Sequence, residues 1–339
     1  MIVLQLLELG AVVPFLSECL SVPSLTMINR TLRFLEDIQA LDLLEGTGSN
    51  DANSLDAIDK KRAGGKKKFT RELQSQIRAA NTLPEATSAE DCRLTPLGIH
   101  LSRLPLDPQC AKLLLMGSLF GCLKPALIVA SSLSFKSPFI TNFSFMGAEA
   151  EHEARKARLR LAGDTLSDHI ATVAAVQDFE EIGSRESARR DFCRKNFLNY
   201  NAIKDLNQLM RDYSEMLHQF RYISSFNIND SDSNVNAYNM NLFRAILCAA
   251  FYPNITSTVN SGGRNSASKL IARDNERLKI HEVSVNSNIS SFGESLYFTY
   301  FDKMRFDENA STSTLFDTTL LLPRSLLFFA GHPQVGSSN

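Results

Sequence analysis

Arg93–Phe139, RLTPLGIHLSRLPLDPQCAKLLLMGSLFGCLKPALIVASSLSFKSPF, is the stretch on which the fold turns. Leu94, Leu97, Leu101 and Leu104 recur at helical spacing and give a short element one apolar face. Pro105 and Pro108 break the chain around Asp107, because proline fixes φ and has no N–H. Leu113, Leu114, Met116, Leu119 and Phe120 then restart a helical stripe that Gly121 closes. Pro125 opens another helix, carried to Pro138 by Leu127, Ile128, Ala130, Ser131 and Leu133. Periodicity and punctuation alone give two packed core helices with a proline corner between them.

Composition sets the limits around this stretch. At 339 residues, 44% hydrophobic and 22% charged, the chain can bury one large core or two to three smaller ones. The net charge of −1 means that any nucleic-acid surface must be a local patch. Six cysteines (Cys19, Cys92, Cys110, Cys122, Cys193, Cys248) form no CxxC pair and have no histidine at ligand spacing, so they read as reduced, buried thiols. The apolar start lacks a basic leader and is interrupted by Glu8 and Glu18, which argues against a signal peptide. No stretch approaches the ~20 apolar residues of a membrane span. The expectation is a soluble intracellular protein, nuclear or cytoplasmic and not secreted.

Moving outward, residues 2–21 read as short apolar helices. Ser24 caps a further one with Met27, Ile28, Leu32, Leu35, Ile38 and Leu41 on its inner face. Three such helices suit a helix-turn-helix-like unit, and Leu43–Leu44 with Arg93–Thr95 would supply the hairpin of a winged helix. Between them, 46–91 is rich in Gly, Ser, Asn and Lys and centres on KKRAGGKKKFTR (residues 60–71). Such a run cannot offset its ordering entropy by burial and reads as a disordered basic insertion. A solvated loop and a phosphate-binding or nuclear-import tail both fit it. Gly64-Gly65-Lys66 does not complete a P-loop, and no P-loop motif occurs elsewhere.

Beyond the opening stretch, 105–225 is helical and bundle-like. Ser167, Asp168 and His169 are adjacent in sequence, but adjacent helical residues point about 100° apart, so they form no triad among themselves. His169 reads as a hydrogen-bonded structural histidine. The Asn-rich stretch 226–239 reads as a linker, and Leu242–Phe251 as one more helix. Leu278–His281, Leu296–Phe301 and Leu315–Leu322 are short strand candidates, with aromatics beside Lys303 and Arg305. They suit a small barrel of the kind that binds single strands through stacking faces and a positive groove.

The opening stretch also resembles the segment that joins the winged-helix and ratchet domains of DEAH-box (DEAH/RHA) RNA helicases. The matching residues are Leu94, Thr95, Leu97, Gly98, Leu104, Pro105, Asp107, Pro108, Lys112, Gly121, Cys122, Leu133, Pro138 and Phe139. IVLQLLELG resembles the family's winged helix, and SDHIATVAAVQDF and FCRKNFLNYNAI its ratchet domain. AILCAAFYPNI, LKIHEVSVN, YFTYFDKM and DTTLLLPRSLLFFAG resemble its C-terminal OB-like domain. The resemblance implies a mainly α multidomain chain with a C-terminal β-barrel: a winged helix over 1–104 carrying the 46–91 insertion, a helical ratchet (HA2) over 105–225, a linker over 226–239 and an OB-like domain over 240–335.

What the resemblance implies about function is bounded by what the chain lacks. It has no Walker A loop, no DEAH tetrad and no arginine finger, and Met1 falls inside the first winged-helix segment. The expectation is a C-terminal accessory region that guides single-stranded RNA, or DNA, during 3′–5′ translocation but cannot hydrolyse ATP alone. ATP and Mg²⁺ are expected only with the RecA-like helicase core, which with a G-patch-type activator is an expected partner. By position in the family motifs, Lys303, His281, Ser284 and Asn286 are the expected RNA contacts. Arg264 joins them from loop position and charge, and Arg194 and Asn201 from the ratchet. Glu282 stands where the family usually has proline. The alternatives are a free-standing nucleic-acid-binding adaptor built from the same domains, and a helical scaffold with no RNA role.

Overall fold

The prolines of the opening stretch turn out to be start signals rather than mere breaks. Thr95 is extended and its hydroxyl accepts from the Gly98 N–H, opening helix α2 (Pro96–Arg103) with Pro96 in its first turn. The Asp107 carboxylate accepts from the Gln109 and Cys110 N–H groups and opens α3 (Pro108–Leu119) in the same way. Proline costs nothing at this position, where its missing N–H would have no helical partner, and the capping oxygen satisfies the donors that follow.

A computed structural model describes residues 24–43, 92–141, 143, 147–259, 269–272, 276–287, 296–306 and 312–329. The expected helices of 2–21, the 46–91 insertion, Cys19, the side chain of Cys92 and Arg264 lie outside the described residues. The chain divides into two compact units, Met1–Pro105 and Leu106–Asn339. In the first, α1 (Leu25–Asp37) is capped by Ser24, and β1 (Leu41–Leu43) pairs antiparallel with β2 (Cys92–Leu94). A strand pair forms across the insertion, but over Leu41–Leu43 and Cys92–Leu94 rather than Leu43–Leu44 and Arg93–Thr95. Leu41, expected on the helix, lies past its end at Asp37 and stands opposite Leu94, and Thr95 caps α2. Gly98 lets α2 close on the turn before β1, since a Cβ there would lie 2.0 Å from the Ala40 carbonyl oxygen.

The second unit holds a helical layer and a barrel. Helices α3 and α4 (Leu123–Ser134) pack on each other. They are joined by α5 (Gly147–Ala162), α6 (Asp168–Glu181), α7 (Glu186–Lys195), α8 (Tyr200–Gln219) and α9 (Met240–Phe251). Phe179, Phe243 and Phe251 are fully buried in this layer, so truncating any of them should cost about 3–5 kcal/mol. Burial also pushes up the thiols of Cys110 and Cys248, each to about 12. These are inert packing groups.

The stretch 226–239, expected as a linker, is a set of turns fastened to the α3–α4 corner. Asn236 donates from Nδ2 to the Phe120 carbonyl at 2.9 Å, and its N–H bonds Gly121 O. Asn234 Oδ1 accepts the Lys124 N–H at 2.7 Å. The asparagines satisfy helix-end groups that would otherwise need water. Gly121 has a φ of +64°, and a Cβ there would meet Val235 Cγ1 at 2.6 Å.

The barrel is closed by β3 (Ile255–Val259), β4 (Lys269–Ala272), β5 (Arg277–Ile280), β6 (Tyr297–Met304) and β7 (Thr312–Leu321) in the order β3-β4-β5-β7-β6. Only β5 and β7 run parallel. Five strands in this order make an OB-like barrel. Helix α10 (Pro323–Phe329) follows and packs on α9. Strand β7 bends at Asp317, which has a φ of +50°. Before the bend β7 pairs with β5; after it, Thr319 bridges Ser167 and the Leu320 N–H bonds Leu166 O. The barrel thus meets the start of α6 through one strand. No described helix is long and apolar enough to cross a membrane.

Candidate nucleic-acid interface

The start of α6 places three polar side chains against the barrel. Ser167 caps the helix, its Oγ accepting from the Ile170 N–H at 3.1 Å, and its hydroxyl lies 2.6 Å from Thr319 Oγ1. His169 Nδ1 lies 2.7 Å from the same Thr319 hydroxyl, and its ring stacks 5.1 Å from that of Phe251. It is the structural histidine expected. Burial holds it neutral, pushed down to about 4, although the neighbouring Asp168 charge pulls the other way.

Asp168, next to these caps, is the centre of the joint. Its carboxylate accepts from Ser284 Oγ at 2.5 Å, the Val285 N–H at 3.0 Å and the Thr318 N–H at 2.9 Å. Arg158 Nε stands 3.2 Å from its other side, close enough to pair charges though not aimed along a hydrogen bond. Nη1 of Arg158 donates to Val283 O, and the guanidinium covers the Phe139 ring at 4.6 Å. Asp168 is wholly buried, and these donors with the nearby cation offset the cost of taking its carboxyl group out of water.

This joint settles the place of the residues expected to touch RNA. Ser284 and Asn286 are buried and face inward. Ser284 is committed to Asp168 and Thr318, and Asn286 Nδ2 donates to Leu166 O at 3.0 Å and Thr318 Oγ1 at 2.8 Å. Both side chains act as fasteners, their donors used within the protein, while Ser284 also lines the cleft between the helical layer and the barrel. His281 is different. It is half-buried, its Nδ1 accepts the Val283 N–H, and its ring stacks on Phe316 at 4.5 Å. Burial lowers its pKa, opposed by Glu282.

Lys303 is exposed near the end of β6 and pairs with Glu276 at 2.8 Å. Arg305 pairs with the same carboxylate at 2.7 Å, and Ser313 donates to it. The Lys303 bond and then the Ser313 bond, joined by Arg305, hold Glu276 down to about 2. Arg194 is exposed on α7 and paired with Asp191, and Asn201 is exposed in the first turn of α8, where Asn199 is the cap. Among the described residues, neither is joined to the barrel by a hydrogen bond or ion pair.

A cleft of about 460 Å³ runs between the helical layer and the barrel, lined by Ser137, Thr141, His281, Met304, Phe306 and Phe316 among others. Phe306 is 73% exposed and meets Phe316 edge-on at 6.2 Å, so His281, Phe316 and Phe306 form a graded stack opening to solvent. Asp317 lies at its base. Burial pushes Asp317 up to about 6 against the pull of Arg158, with Asp168 and Asp302 adding to the rise. An aromatic row with Lys303 three residues and Arg305 one residue before Phe306 suits a single-stranded nucleic acid, since every base has a stacking face and every link a phosphate. Phe306 and Phe316 were not singled out from sequence, although Phe306 follows directly on the Lys303–Arg305 run. Among Arg155, Arg158 and Arg160, nothing in the sequence marks Arg158 as the one that turns inward. Among the described residues no group of three His, Cys, Asp or Glu side chains is arranged to hold a metal ion.

Comparison with known proteins agrees with this architecture. Residues 107–172 match the helicase associated domain (HA2), ratchet-like. The chain is 36% identical over 248 residues to the human ATP-dependent DNA/RNA helicase DHX36, covering 73% of this chain and 24% of that protein. It is 29% identical over 260 residues to the DExH-box ATP-dependent RNA helicase DExH1 of Arabidopsis thaliana, covering 77% and 24%. It is 34% identical over 193 residues to the mouse putative ATP-dependent RNA helicase DHX57, covering 51% and 13%. The matched segments thus span about a quarter or less of the length of these relatives.

Proposed function

Since the chain belongs with the DEAH-box helicases, as a region bearing their ratchet-like domain and C-terminal barrel, we propose that it guides single-stranded RNA past the barrel of an ATP-dependent RNA helicase. The observation that carries this reading is the exposed stack of His281, Phe316 and Phe306 beside Lys303 and Arg305. Bases stack on the rings while the two cations meet phosphate, releasing Glu276 or sharing it. The Asp168 joint keeps the loop that carries His281 at a fixed place relative to the helical layer. Such a surface tracks the backbone and reads little sequence.

In this reading the chain supplies guide and tunnel wall, and ATP with Mg²⁺ works in a RecA-like core that drives 3′–5′ movement and unwinding. The first unit serves as the winged helix, and a G-patch-type activator acts on the assembled enzyme. The test is a titration of labelled single-stranded RNA into the purified chain at two salt concentrations. Saturable binding that weakens as salt rises and drops in Phe306→Ala supports the guide. An undetectable interaction at low salt, or one indifferent to Phe306→Ala, rules this surface out.

A further inference from the structure

Two carboxylates line the cleft beside the aromatic row, and folding has treated them differently. The oxygens of Asp168 accept from Ser284, Val285 and Thr318. Asp317 accepts no hydrogen bond among the described residues. Arg158 Nη2 stands 3.6 Å from it, beyond hydrogen-bond reach, and Nη1 of that guanidinium donates to Val283 O instead. The Asp317 side chain keeps 35% of its surface open to solvent, so its acceptors are within reach of a ligand in the cleft.

The backbone accounts for this placement. Neighbours along a strand face opposite ways, yet Phe316 and Asp317 both line the cleft. The φ of +50° at Asp317 breaks the alternation, and the burial pattern along β7 slips by one residue at that point. Strand β6 pairs on either side of the bend, Phe316 opposite Asp302 and Thr318 opposite Tyr300, so the irregular backbone is held in place. An unused acceptor beside a stacking ring fits one part of a nucleotide. The phosphate is itself an anion and is repelled. The base faces go to Phe316 and Phe306, as in the guide reading on which this inference rests. The ribose joins base to phosphate, and in RNA it carries a 2′-hydroxyl that donates to a carboxylate and that DNA lacks. That hydroxyl is present whatever the base, so reading it leaves the surface indifferent to sequence.

We propose that Asp317 makes the cleft prefer RNA to DNA, its carboxylate accepting the 2′-hydroxyl of a nucleotide stacked on Phe316. Oligouridylate and oligodeoxyuridylate of equal length differ at that hydroxyl alone, and uracil has no amino group to donate in its place. Both would be titrated at about pH 8, above the Asp317 pKa of about 6, into the full chain and into Asp317→Gly and Asp317→Asn. Glycine deletes the carboxylate and takes the left-handed backbone without strain, and asparagine tolerates that backbone while keeping one carbonyl oxygen. Cytidylate and deoxycytidylate, whose base does carry an amino group, form a second pair. The deoxyuridylate strand is the control for folding, and its affinity should stay within about twofold in both variants.

In the unaltered chain uridylate should bind about tenfold tighter than deoxyuridylate, as one hydrogen bond to a charged group implies. Asp317→Gly should bring that ratio below about threefold by weakening uridylate alone, and Asp317→Asn should lie between. Equal affinities for the two strands in the unaltered chain overturn the proposal, as does a ratio that survives Asp317→Gly. A glycine variant that tightens both strands alike would make Asp317 a repelling charge and nothing more, which also overturns it. Deoxycytidylate binding as tightly as cytidylate, with both well above deoxyuridylate, would assign the donor to a base amino group and overturn it too. Where both uridylate strands bind and both weaken in Phe306→Ala without a sugar preference, the guide reading stands and this inference alone falls. Where neither strand binds, both fall.

Discussion

At one end of the 281–287 loop His281 lies half-exposed on Phe316, while further along Ser284 and Asn286 are buried against Asp168 and Thr318. The same loop therefore holds a solvent-facing stack and an internal clamp. The difference is one of commitment. The clamp's donors Ser284 Oγ and Asn286 Nδ2 have partners inside the protein, so they give geometry and stability. The stack offers ring faces beside two cations that share the Glu276 carboxylate, a pairing that a phosphate can exchange with. A polar side chain in a motif is a binding residue only if folding has not already used it.

Substitution of the clamp's centre gives the largest expected effect. Asp168→Ala strands the buried Arg158 charge and the donors of Ser284, Val285 and Thr318, and should destabilise the second unit by about 3–5 kcal/mol in denaturant unfolding. A loss under about 1 kcal/mol would mean that the joint is not the fastener described.

The next effect is on pH. His169 has a folded pKa of about 4, below its ordinary 6.5, so the unfolded chain binds the extra proton first. Its stabilising share is present above 6.5 and is lost as pH falls through about 4. On the order of 1–3 kcal/mol should disappear across that window in urea titrations. His169→Asn, which keeps an amide near the Thr319 hydroxyl, should flatten that acid limb.

The stack should respond in the opposite manner to the clamp. Phe306→Ala should leave stability within ~0.5 kcal/mol, because the ring is exposed. It should weaken single-stranded RNA binding by about 1–3 kcal/mol in anisotropy titrations. Equal changes in stability and affinity would erase the distinction between stack and clamp. The smallest effect belongs to Lys303→Ala, which should reduce the slope of log affinity against log salt by ~0.7. An unchanged slope would leave Glu276, and not phosphate, as the lysine's working partner.

Much of the fold was legible because local chemistry announces it. Thr95-Pro96 and Asp107-Pro108 carry cap and first-turn signals in adjacent residues, and the periodic leucines around them need no knowledge of what they pack against. His169 as a structural histidine follows from the same local reasoning. Strands β5, β6 and β7 were visible as apolar runs, whereas β3 and β4 are short, and ITSTV and KLIA carry weak alternation. The asparagines of 226–239 looked like a linker because their partners, Phe120, Gly121 and Lys124, lie more than a hundred residues earlier.

The sequence by itself determined that helices give way to short strands along the chain, and that it carries a helicase-associated region without a P-loop. Those are properties of neighbours along the chain: caps, spacing and ordered motifs. Only the tertiary structure decided that Ser284 and Asn286 hold the barrel to α6 while His281, Phe316 and Phe306 face the cleft. That choice depends on the bend at Asp317 and on a carboxylate more than a hundred residues away from the loop it gathers. Inward and outward are set by which partners folding brings within hydrogen-bond reach, and no window of sequence contains them.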